Sequence, residues 1–126
     1  MFFISYEDYL NYYRSTTICK FQENYTLSTL KLKHTRNSYC LAEVALKQRS
    51  RIFIRATQIN PRMIPPASKY EVSNVKLLLA RVAGDLEDPQ MDYVQGVVGE
   101  SAEVVLEPSG KLDPGSYLVF VEVDWK

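Results

Sequence analysis

The side chains best suited to chemistry in this chain are four clustered carboxylates, Asp85, Glu87, Asp88 and Asp92, together with His34, Cys19 and Cys40. Calcium takes about six to eight oxygen ligands, so a loop carrying these carboxylates can begin a site. Leu86 and Pro89 interrupt the run, and its spacing matches no calcium loop. The four are therefore weak calcium candidates, and the expectation is weak or absent binding with the carboxylates solvated; no cofactor is required. Cysteine catalysis needs a thiolate beside a histidine that a third polar group holds in place. His34 is the single histidine, and Lys33-His34-Thr35-Arg36-Asn37 reads as an exposed turn. Neither cysteine stands in a small-residue motif at a helix start. No nucleophile elbow, phosphate loop or dinucleotide fingerprint occurs, so catalytic residues are read as none. The two cysteines lack metal-type spacing and lie among apolar neighbours, which predicts reduced, partly buried thiols.

Charge narrows the partners. Fifteen basic and fifteen acidic residues cancel, leaving no global field toward nucleic acid or an anionic membrane. Lys47, Arg49, Arg51, Arg55 and Arg62 give the middle of the chain a basic bias that ordinary solvent-facing strand charge mostly explains. Arg51 and Arg55 flanking Phe53 read instead as a surface that another domain covers, because an exposed Phe is otherwise costly.

The elements that must carry these residues follow from periodicity. Ser5 is placed to cap a helix with Asp8 in its first turn, and Tyr6, Tyr9, Leu10 and Tyr13 fall on one face of it, ending near Arg14. From there the period becomes two. Ile18–Phe21, Thr29–Lys33, Cys40–Leu46, Arg51–Arg55, Tyr93–Val98, Ala102–Leu106 and Tyr117–Trp125 read as strands, with apolar side chains alternating toward a core. Val75–Val82 is apolar on both faces, which predicts a central strand covered on two sides. Pro61, Pro65 and Pro66 demand a long loop, and Pro108-Ser109-Gly110 and Asp113-Pro114-Gly115 are strong turn signals. The fold class expected is all-β, an antiparallel β-sandwich of about seven or eight strands with one short N-terminal helix.

A chain of 126 residues fits one core. No run approaches the roughly 18 to 20 apolar residues that cross a bilayer, so no transmembrane segment is expected. Met1-Phe2-Phe3-Ile4 lacks a basic leader and meets Glu7 and Asp8 at once, unlike a signal peptide. Exposed Phe2 and Phe3 read as a cut through a larger protein. Phe2, Phe3, Tyr9 and Tyr13 then form the candidate interface, with Arg51, Phe53 and Arg55 as a second part of it.

The opening Met1-Phe2-Phe3-Ile4-Ser5-Tyr6-Glu7-Asp8-Tyr9-Leu10-Asn11-Tyr12-Tyr13, running on to Ile18-Cys19, resembles the segment at which calpain-family cysteine proteases leave the protease core. Phe3 stands where that family usually has Trp. Leu46-Lys47-Gln48, Thr57-Gln58 and the ending Leu112-Asp113-Pro114-Gly115-Ser116-Tyr117 into Val121-Glu122-Val123-Asp124-Trp125 are similar to the C2-like sandwich that follows the core. The resemblance implies residues 1–20 as a helical linker and 21–126 as the sandwich, with the family's catalytic residues upstream. It further implies a cytoplasmic, non-catalytic regulatory domain that braces the protease core of the same polypeptide and mediates protein interactions. The alternative it offers is a calcium- and phospholipid-responsive membrane-targeting module.

Overall fold

The computed structural model describes residues 3–15, 23–84 and 90–126. Two compact units, Met1–Leu30 and Lys31–Lys126, are each described by themselves.

In the first unit the capping pattern produces the helix it predicts. Helix α1 runs Tyr6–Tyr12, two residues short of the expected end, with Ser5 in extended conformation as its cap. The Ser5 hydroxyl accepts from the Asp8 amide at 3.1 Å and donates to the Asp8 carboxylate at 2.7 Å. One exchange thus satisfies an orphan amide of the first turn and places a negative charge at the positive helix end.

The second unit is an all-β, two-sheet antiparallel sandwich with six strands among the described residues: β1 (Cys40–Leu46), β2 (Ile54–Thr57), β3 (Asn74–Ala83), β4 (Gln90–Gly99), β5 (Glu103–Leu106) and β6 (Gly115–Asp124). The order β1-β6-β3-β4 forms one sheet, and β2 pairs with β5 in the other. Two expected strands differ. Thr29–Lys33 alternates in sequence but forms no strand, and Leu30 and Leu32 are exposed, because alternation without a partner ladder fixes nothing. Arg51–Arg55 is represented by Ile54–Thr57, Ser50 making an isolated bridge to Leu112 instead. Ile18–Phe21 lies outside the described residues.

The core forms where the alternation of both sheets converges. Val75, Leu77 and Leu79 of β3 and Tyr117 and Val119 of β6 meet Val104 and Leu106 of β5, with Ile52, Ile54 and Ala56 packed against them. Burying each Leu or Val fully stabilises by about 1.5–3 kcal/mol. Gly99 of β4 lies close against β5, where an added Cβ would lie 3.0 Å from Val104 Cγ2. A bulge opposite Leu79 and Ala80 shifts the β3–β4 register, so Val94 joins the core while Tyr93 stays outward.

The turn before β6 is locked from inside. Tyr117, 2% exposed, donates its hydroxyl to the Asp113 carbonyl at 2.8 Å, an arrangement like the tyrosine corner of Greek-key sandwiches. Arg81 donates to the Pro114 carbonyl at 3.4 Å, and Gly115 takes φ +148°, a backbone that L side chains rarely adopt.

Candidate interaction surfaces

Helix α1 fully buries none of its aromatic residues. The i, i+4 spacing stacks Tyr9 on Tyr13, with ring centroids 5.1 Å apart and planes 22° apart. Tyr9 is half-buried, Tyr13 is exposed, and Phe3 just before the helix is 92% exposed. Phe2 lies outside the described residues.

The second expected interface part is paired within the domain. Arg51 forms an ion pair with Glu107 and places its guanidinium 5.4 Å from the centroid of the half-buried Phe53 ring. Arg55 reaches Glu103 at 3.8 Å across the β2–β5 ladder. The basic bias of this stretch therefore meets acidic partners on β5 and just beyond it. Such exposed pairs are worth about 0–1 kcal/mol each.

Of the four calcium candidates, Asp85, Glu87 and Asp88 lie outside the described residues. Asp92 is exposed on β4, opposite Arg81. Among the described residues no group of three or more His, Cys, Asp and Glu is placed to hold a metal ion. Cys40 is a half-buried free thiol whose Sγ donates to the Lys33 carbonyl at 3.5 Å; Cys19 lies outside the described residues.

His34 departs from the exposed turn expected for it. It is half-buried, with Nε2 accepting from the Val123 amide at 3.2 Å and Nδ1 lying 3.0 Å from the Trp125 indole N–H. A neutral imidazole has one free lone pair on its ring nitrogens, so it satisfies one of these donors at a time. It sits just past the point where β1 stops covering β6 at Cys40 and Val121, and caps the edge beyond. The glutamine noted at Gln58 has a comparable role. Its amide donates to the Ser73 carbonyl at 2.6 Å and accepts from the Ser73 amide at 3.1 Å, tying two loops together.

The feature that sequence reading did not locate is the outward face of the four-stranded sheet. Cross-strand register aligns Leu41, Phe120, Leu78 and Gly96 in one row. Around that row lies a concavity of about 580 Å³ walled by Tyr39, Tyr93 and Val98, with Lys76 and Glu122 at its rim. Lys76 stands 3.0 Å from Asp124 and 3.4 Å from Glu122, and the hydrogen bond to Asp124 holds its pKa above the usual 10.5. Lys126 is raised likewise, chiefly by its bond to Glu100. The signal was present in the two-sided apolar pattern of β3, but the sequence does not say which face stays open.

No helix among the described residues is long and apolar enough to cross a membrane. Comparison with family models, with curated proteins and with solved structures finds no match to this chain.

Proposed function

We propose that this chain is a non-catalytic docking module of a calpain-like cysteine protease, bracing the protease core of its own polypeptide through its N-terminal helical segment. The observation that carries the reading is α1, a capped and stacked aromatic helix that fully buries none of its residues. A free helix of seven residues is marginal in water, and such a helix gains most of its stability by packing an apolar face on a partner. The resemblance of Met1 to Tyr13 and of Ile18-Cys19 to the exit from a calpain core supports that partner and a cytoplasmic setting.

The test is to join the chain in cis to a matching protease core and to compare it with a Tyr9→Ala, Tyr13→Ala version. The native pair should raise the thermal midpoint of the core and alter its activity, and the double substitution should remove both effects. Unchanged activity in cis, with no affinity of the isolated chain for the core, would sink the reading.

A further inference from the structure

We propose that the outward face of the four-stranded sheet is a docking groove for a partner's amphipathic helix, one whose apolar stripe is flanked by lysines or arginines. The groove belongs wholly to the Lys31–Lys126 unit and does not depend on the calpain-like reading.

The first argument is composition against position. An antiparallel sheet with one solvated face carries polar side chains on that face. Here the outward positions hold Leu41, Phe120, Leu78, Tyr93 and Val98, of which Leu78 is 39%, Val98 64% and Tyr93 68% exposed. At Gly96 the missing side chain leaves room that the Tyr93 ring edge covers, since a Cβ there would meet the Leu77 carbonyl at 3.3 Å and the Tyr93 hydroxyl at 3.5 Å. Tyr39, its ring 6.2 Å from that of Phe120, forms the opposite wall.

The second argument is size. A full aromatic side chain carries about 150–250 Å², so the exposed parts of the groove residues offer roughly 500 Å². That is at the upper end of the largest patch on a typical monomer, about 300–600 Å². It falls short of the roughly 800 Å² per partner of a standard protein interface. A single helix, about 10 Å across and anchored at i, i+3 or i+4 and i+7, fits this area better than a second copy of the chain.

The third argument is charge. The outward positions carry Glu43, Glu122 and Asp124 against Lys76 alone, a net of two negative charges around the apolar row. An anionic lipid surface meets repulsion there, and so does an identical face; a helix flanked by cations does not.

The test is a phage library of helix-forming peptides panned against the full chain, with Val98→Lys as counter-selecting bait. Val98 is mostly exposed, so that variant should fold; Tyr39→Lys, on a different segment, serves as the second. The expected consensus has apolar residues at i, i+3 or i+4 and i+7 with Lys or Arg beside them. The synthetic consensus peptide should bind with micromolar affinity and weaken about tenfold or more in each variant, and on replacing its basic residues by Glu. It should shift amide resonances of β3, β4 and β6. Any of four results overturns the proposal: no enrichment over the counter-selecting bait, a consensus without basic residues, affinity unchanged in both variants, or a solution dimer or phosphatidylserine-vesicle binding that Val98→Lys abolishes.

Discussion

Replacing Tyr117 by Phe isolates one hydroxyl at the corner that launches β6. The ring is buried, so Phe keeps its packing and removes only the donor to the Asp113 carbonyl, 2.8 Å away. A neutral intramolecular hydrogen bond contributes about 0.5–1.5 kcal/mol net, and an acceptor left buried and unpaired adds to the loss. Asp113 is exposed and pairs its carboxylate with Arg49 at 3.4 Å, so its carbonyl can turn to water. The expected loss is therefore about 1 kcal/mol, at the centre of the range. For a domain of this size that lowers Tm by roughly 3–6 °C. Urea unfolding followed by far-UV circular dichroism should show a lower midpoint with an unchanged m-value, since no surface is newly exposed. A change below about 0.3 kcal/mol would refute the corner as a constraint. A loss above about 3 kcal/mol, or an altered m-value, would mean that the ring itself had moved, because the hydroxyl alone cannot supply so much.

Leu79→Ala, at a fully buried position between β4 and β6, should cost about 2–5 kcal/mol by calorimetry or urea unfolding. Gly99→Ala should cost about 1–3 kcal/mol, because its new methyl presses on Val104, and Gly99→Ala with Val104→Ala should recover part of that loss. Ser5→Ala removes the acceptor for the Asp8 amide and should weaken α1 by about 0.5–2 kcal/mol, read as lost helical signal in a peptide spanning α1. Lys76 has a folded pKa above its ordinary 10.5, so its contribution is complete below that value and disappears as pH rises through the folded one. The stability difference between the native chain and Lys76→Met should accordingly be flat from neutral pH to about 10 and shrink above it, as thermal melts across the alkaline range would show.

Local rules carried most of the fold. Ser5 followed by Asp8 and a 3.6-period aromatic face gave α1, and alternation gave β1, β5 and β6 close to their observed bounds. Asp113-Pro114-Gly115 announced the turn into β6, though not that Tyr117 would reach back to hold it. Alternation misled at Thr29–Lys33, because a strand is defined by its partner and the sequence of one segment does not contain the other. The same limit hid His34. Its two contacts come from Val123 and Trp125 at the far end of the chain, and no local pattern links them. At Arg51 and Arg55 the sequence displayed the cations but not their glutamate partners: Arg55 stands opposite Val105 and reaches diagonally to Glu103, and Arg51 meets Glu107 beyond the end of the ladder.

The apolar character of β3 on both faces implies cover on both sides, and among the described residues of the second unit the structure supplies it on one. Val75, Leu77 and Leu79 point into the core beneath β5, while Leu78 points out beside Phe120 and Gly96. A sheet that needed only one layer would tolerate Thr or Lys at position 78 without loss of core packing. Leu78 is joined by Leu41 and Phe120 in register, and by Val98 and Tyr93 along β4, so the outward pattern spans four separate strands. Isolated exposed apolar residues require no explanation, but a contiguous face of them does. Folding buries part of that face, leaving 39% of Leu78 and 64% of Val98 in water. The apolar area still exposed there would stabilise further once a second layer excluded water from it, which is the gain the proposed docking helix draws on.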